Sequence, residues 1–91
     1  MRKIWKEELH MYFDPQHLYL AGRNGYTSTF FYDGVRIDAA SDGQFVFVNV
    51  SSVLPKAILQ GLLHWFGIDT CREMAHYRFP DNSRYYVQKA A

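Results

Sequence analysis

The residues with the most obvious chemical potential are His64, Cys71 and His76, which fall close together in the C-terminal third of the chain. Neutral imidazole and thiolate are good zinc ligands, but structural zinc takes four ligands arranged in paired short spacings, and this spacing makes no such pair. Cys71 is also the nucleophile of a His/Cys enzyme if His64 or His76 activates it. The competing reading makes it a small half-buried apolar residue near an element boundary, the commoner fate of a lone cysteine. The sequence therefore predicts neither a metal nor a cofactor, and a small His/Cys enzyme ranks third among the functional readings.

Carboxylates add little to this. Of Asp33, Asp38, Asp42 and Asp69, most fall in turn or cap contexts, where aspartate is favoured because its side chain bonds nearby backbone amides. The run Gly22-Arg23-Asn24-Gly25 has neither the glycine spacing nor the succeeding helix of a phosphate-cradling loop, and reads as a hairpin turn. No catalytic constellation is expected.

Nucleic acid is the second functional class. An apolar helix, a break at Gly67-Ile68-Asp69 and a segment starting at Thr70 could form a helix-turn-helix presenting Arg72, His76 and Arg78. Tyr77 and Phe79, however, continue with strand-like alternation. The formal net charge is only +1, with signs mixed along the chain, so no long-range field draws in a polyanion or an anionic membrane.

The strongest compositional signal is aromatic. Phe, Tyr and Trp make up 18% of residues, and seven tyrosines are spread over nearly every β-prone segment. In Gln44–Val50, Phe45 and Phe47 point one way and Val46, Val48 and Val50 the other, so a strand here has two apolar faces. One helix covers one face. The other must be covered by sheet curvature, a terminal hairpin, a second copy of the chain or a partner protein. Tyr and Arg dominate protein interfaces because they bury large area while keeping a polar tip. The binding surface expected on these grounds comprises Tyr12, Tyr19, Arg23, Tyr26, Tyr32, Arg36, Phe45 and Phe47. The same rings and guanidinium groups could alternatively stack on a single strand of nucleic acid.

The elements that must position these residues are short. Ile4–Phe13 alternates like a strand, with Trp5, Leu9, Met11 and Phe13 apolar, and Asp14-Pro15 ends it. Candidate strands come next at His17–Ala21, Tyr26–Tyr32, Val35–Ala39 and Gln44–Val50, separated by the turn signals Gly22–Gly25, Asp33-Gly34 and Ser41-Asp42-Gly43. Connections this short demand antiparallel pairing. Ser51-Ser52 offers a hydroxyl cap and Pro55 a tolerated first-turn residue for a helix over 55–66, whose Ile58, Leu59, Leu62, Leu63 and Phe66 form one apolar stripe ending at Gly67. Thr70-x-x-Glu73 could open a brief helical turn before a strand. Pro80-Asp81-Asn82-Ser83 then turns the chain into a last β-prone segment, Arg84–Lys89.

The predicted fold class is therefore α+β: an antiparallel β-meander of about five strands packed by one main helix, with a C-terminal β-hairpin. Its 91 residues, 48% of them hydrophobic, suit a single domain over 1–91. The single cysteine, an N-terminus without the apolar core of a signal peptide and the lack of a long apolar run predict a soluble cytoplasmic protein. The function expected by elimination is non-enzymatic: a protein-binding domain, of inhibitor or adaptor type, acting by steric occlusion of its partner. A homodimer is an alternative occupant of the surface, with nucleic acid ranked below a protein partner.

Overall fold

The computed structural model describes residues 12–90. It contains β1 (Leu18–Asn24), β2 (Thr27–Tyr32), β3 (Val35–Ser41), β4 (Phe45–Val50), helix α1 (Lys56–Trp65), β5 (Ala75–Arg78) and β6 (Arg84–Lys89), after a 3-10 turn at Pro15–His17. All pairings are antiparallel and the strands form one sheet in the order β1-β2-β3-β4-β6-β5. The architecture is thus α+β, a meander extended by a C-terminal hairpin. Most of the strand expected at Ile4–Phe13 lies outside the described residues; Phe13 itself precedes the 3-10 turn.

Turn chemistry sets the register. Asp33 and Gly34 both take positive φ (47° and 83°), the pair a two-residue type I′ hairpin needs, so Tyr32 pairs with Val35. The preceding hairpin turns later than its glycine-rich run suggests. Gly22, Arg23 and Asn24 stay in β1, and Gly25, at φ 63°, turns the chain together with Tyr26. A register shift between Leu20 and Gly22 absorbs one extra residue. At the third turn the Asp42 carboxylate accepts bonds from the amides of Gln44 and Phe45, each 2.8 Å, and the Phe45 bond first, then that of Gln44, holds its pKa below the ordinary aspartate value.

The helix differs from expectation at its start. No side chain caps it; Pro55 occupies the cap position and its carbonyl accepts from Leu59 N at 2.9 Å. Ser51 and Ser52 lie too far ahead of Pro55 to serve; the Ser51 hydroxyl instead accepts from the Arg36 amide at 3.1 Å, tying β3 to the chain leaving β4. The C-terminus matches the glycine stop. Gly67, at φ 90°, donates to His64 O and Ile68 donates to Leu63 O, the paired bonds of a Schellman motif, with Leu63 and Ile68 both buried.

Beyond Gly67 the chain makes a turn and then β5, with no second helix among the described residues. Asp69 displaces Thr70 as the local organiser. Its carboxylate accepts from Cys71 N at 2.9 Å, its carbonyl from Arg72 N at 3.1 Å, and its own amide bonds the buried Gln88 side chain. The helix-turn-helix reading is thereby corrected.

Register assigns each face. Tyr32, Ile37, Val48, Val50 and Tyr86 share one side and pack with Ile58, Leu62, Leu63 and Ile68 into the core. Leu59 and Phe66 border it, half-buried. Phe13 closes one end, its ring stacked on Tyr32 at 5.3 Å between centroids and 5.9 Å from Trp65. Gly61 lets Phe13 come this close to the helix.

Two substitutions check this packing by thermal or denaturant unfolding. Leu62 is fully buried, so Leu62→Ala should destabilise by about 2–5 kcal/mol; a loss under about 1 kcal/mol would contradict the packing. Gly61→Ala should destabilise too, although alanine normally improves a helix interior by about 1 kcal/mol. A Cβ at Gly61 would lie 2.5 Å from the Phe13 Cβ, which forces one of them to move.

Candidate functional site: the open face of the sheet

The side chains alternate with those of the core, so the second face is as firmly specified as the first. Across it, register rows run Thr29–Asp38–Asn49–Tyr85–Tyr77 and Thr27–Ala40–Phe47–Val87–Ala75, with Tyr19, Phe31 and Arg36 at one corner and Phe45 with Lys89 at another. Helix α1 lies on the other side, and among the described residues no element packs over this one.

Each row changes character from β2 to β5. On β2 and β3 the Thr29 hydroxyl donates to Asp38 Oδ1 at 2.7 Å and the Arg36 guanidinium pairs with Asp38 at 3.3 Å, a self-contained polar network. On β4, β6 and β5 the rings form a continuous ladder. Phe45 and Phe47 are 6.2 Å apart, Phe47 stacks with Tyr85 at 6.1 Å, and Tyr85 meets Tyr77 at 6.3 Å. Offset and tilted contacts of this kind are the favourable arrangement of aromatic rings. Burial, and secondarily the neighbouring Tyr77 phenol, raises the Tyr85 pKa, so its hydroxyl stays protonated and can donate.

Two hollows adjoin the ladder. The small Ala40 leaves a depression lined by Thr27, Asp38, Phe47, Asn49 and Tyr85. A larger groove, of about 540 Å³, is lined by Asn49, Phe79, Pro80, Asp81, Ser83 and Tyr85. Asn49 and Tyr85 belong to both, so the two hollows lie side by side between β2 and the β5–β6 turn. Asn49 Oδ1 is buried and makes no hydrogen bond. An acceptor left so costs roughly 1–3 kcal/mol.

The expected surface residues do not all meet. Tyr19, Arg36, Phe45 and Phe47 share the open face. Arg23 does not, because the register shift pairs it with Ser28, whose side chain lies on the helix side. Tyr26, 88% exposed, sits in the β1–β2 turn and lines a hollow on the helix side with Ser28, Phe30, Val46 and Phe66. Tyr12 is exposed ahead of the 3-10 turn. Tyr32 must be withdrawn from the surface altogether: only 1% exposed, it lies in the core, donates weakly to Tyr12 O and accepts from Asp14 N at 2.9 Å. Desolvation raises its pKa, as burial does for any phenol.

Tyr77, Tyr85, Phe31, Asn49 and Phe79 were not singled out from the sequence. The clue was the alternation of Ala75, Tyr77 and Phe79, which places Ala75 and Tyr77 on the open face once β5 is a strand. The remaining candidates disperse. His76 lies flat on Tyr86, 4.9 Å apart and 3° from parallel, shielding an edge of the core, while Cys71 is exposed. Among the described residues no group of three His, Cys, Asp or Glu side chains could hold a metal ion, and no helix is long and apolar enough to cross a membrane.

Comparison with protein families, curated proteins and solved structures finds no match to this chain.

The two tyrosines with opposite surroundings give a direct check by unfolding. Tyr32→Ala should cost about 3–5 kcal/mol, as aromatic truncation in a core does. Tyr19→Ala, at a site 68% exposed, should stay within about 0.5 kcal/mol. Similar losses at both positions would mean that Tyr19 is covered.

Proposed function

We propose that this protein is a non-enzymatic binding domain whose open sheet face docks onto another protein, in the manner of an inhibitor or adaptor that occludes part of its partner. The observation that carries this reading is the ladder Phe45–Phe47–Tyr85–Tyr77, crossing three adjacent strands with no cover among the described residues. Contiguous apolar surface of this kind marks sites of association on soluble proteins. Rings fixed in strands also lose little freedom on binding, so much of their contact area is converted into affinity.

Charge favours a protein over nucleic acid. Among the described strand residues of this face the cations are Arg36 and Lys89, and Arg36 is already held by Asp38. The two hollows beside the rings are lined by Asp81 and by Asp38, with no basic side chain in either. A phosphodiester backbone laid along them would meet carboxylates, whereas single-strand binders set their stacking rings in a positive groove.

The test is capture of a partner from cells that express the protein, quantified for the wild type and for Tyr77→Ala and Phe45→Ala. Both rings are more than a third exposed, so melting should stay within about 0.5 kcal/mol of wild type. Capture of a specific protein should weaken by a hot-spot increment of about 2 kcal/mol or more in at least one variant. Capture that is indifferent to both substitutions, or abolished by nuclease and steeply by salt, would defeat the protein-docking reading.

A further inference from the structure

The groove at the β5–β6 turn has a more specific chemistry than the ladder beside it. Pro80-Asp81-Asn82-Ser83 makes the turn, with Asn82 at φ 70° and donating to Phe79 O at 3.1 Å. Asp81 is locked in place by accepting from Ser83 N at 3.0 Å and Ser83 Oγ at 2.6 Å. Those bonds, the hydroxyl's first, also hold its carboxyl below the ordinary pKa, so it is ionised at neutral pH while remaining open to solvent. The Ser83 hydroxyl has committed its one proton to Asp81 and can only accept. Asn49 Oδ1, below the groove's other end, is a buried acceptor without a hydrogen bond and is not itself open to an occupant. Phe79, 45% exposed, and Tyr85 add ring surface, and no Lys, Arg or His lines the groove.

The occupant that best matches these groups is therefore a cation, with donors to offer Asp81 and the Ser83 hydroxyl, and able to lie against aromatic rings. A guanidinium is all three: planar, donor-only, permanently charged and weakly hydrated, it stacks on rings and pairs with carboxylates at once. An ammonium meets the charge but, more strongly hydrated, gains less from the rings. We propose that this groove seats an arginine side chain presented by the partner protein, its guanidinium against the Phe79 and Tyr85 rings and facing Asp81. The proposal rests on the protein-docking reading above, and it supplies the polar anchor that an aromatic ladder alone lacks.

The experiment monitors the backbone amides of the full chain by two-dimensional NMR during titration with N-acetyl-arginine amide. Parallel titrations use the uncharged citrulline analogue, the lysine analogue and a short oligothymidylate. Arginine amide should shift Asn49, Phe79, Ser83 and Tyr85 saturably, with a Kd of about a millimolar, as one weakly held side chain allows. Citrulline should bind at least about tenfold more weakly, since it loses the charge. Asp81→Asn should weaken arginine binding by about three- to tenfold, with at most a small drop in melting temperature from the weakened turn bonds, and Phe79→Ala should weaken it as well. Equal shifts from citrulline, indifference to Asp81→Asn, or shifts elsewhere would overturn the proposal. So would binding of the lysine analogue as tight as that of arginine amide, stronger shifts from the oligonucleotide, or groove resonances that move on concentrating the protein alone. If the groove ignores arginine while capture still depends on Tyr77 and Phe45, this inference falls alone. If capture ignores Tyr77 and Phe45, the docking reading falls, and the arginine's assigned source with it.

Discussion

Everything else in the structure depends on the contact between Leu62 and Leu63 of one short helix and the Ile37, Val48, Val50 and Tyr86 side chains beneath it. A strand presents alternate residues to opposite faces, so burying Val48 and Val50 under the helix commits Phe47 and Asn49 to the other side with no freedom to choose. Pairing transmits the commitment laterally. Val48 opposite Tyr86 and Asn49 opposite Tyr85 mean that two adjacent tyrosines receive opposite fates from one register. The same logic separates Tyr32 from Phe31 at the far end of β2. The open aromatic face is in this sense the other side of the core rather than a separate feature.

This explains which parts were legible in the sequence. The helix showed itself through the spacing of Ile58, Leu62 and Leu63, the strands through alternation between strong turn signals, and the two-faced Gln44–Val50 through its own composition. These are local patterns. Tyr32 was misplaced because the parity of a tyrosine within its strand does not say which parity the helix covers; that is decided by Val48 and Val50, on a strand not even adjacent to β2. Arg23 was misplaced for a related reason, since the extra residue between Leu20 and Gly22 inverts the parity of the rest of β1. Tyr77 and Tyr85 are paired by the β5–β6 hairpin, but they join Phe45 and Phe47 in one surface only because β6 inserts between β4 and β5.

The helix start and the segment after Gly67 show a second kind of illegibility: competition for a hydrogen bond. Ser51 has a hydroxyl suited to a cap, but the helix starts later, at Pro55, and that hydroxyl bonds the Arg36 amide instead. Thr70 and Glu73 have the spacing of a capping box, but Asp69 forms its own turn while the Gln88 side chain ties that turn to β6. Sequence alone ranks the donors and acceptors near one another along the chain, and the winner here is chosen by groups many residues away. The result also shapes the proposed docking face. A helix in place of β5 would remove Tyr77 from the ladder and the strand that frames the groove.

A division of labour across the open face arises from where charge is already satisfied. Asp38 bonds Thr29 and Arg36, so the β2–β3 side has its electrostatics settled within the chain and offers a partner mainly shape. Asp81 is bonded only to neutral groups, those of Ser83, and keeps its full negative charge. Between them the rings provide area without direction. Apolar area favours association with little discrimination, while a charged, hydrogen-bonding group at its border penalises every partner that cannot pair with it. On the proposed docking reading, such a face would draw affinity from Phe45, Phe47, Tyr77 and Tyr85 and selectivity from the turn at Asp81.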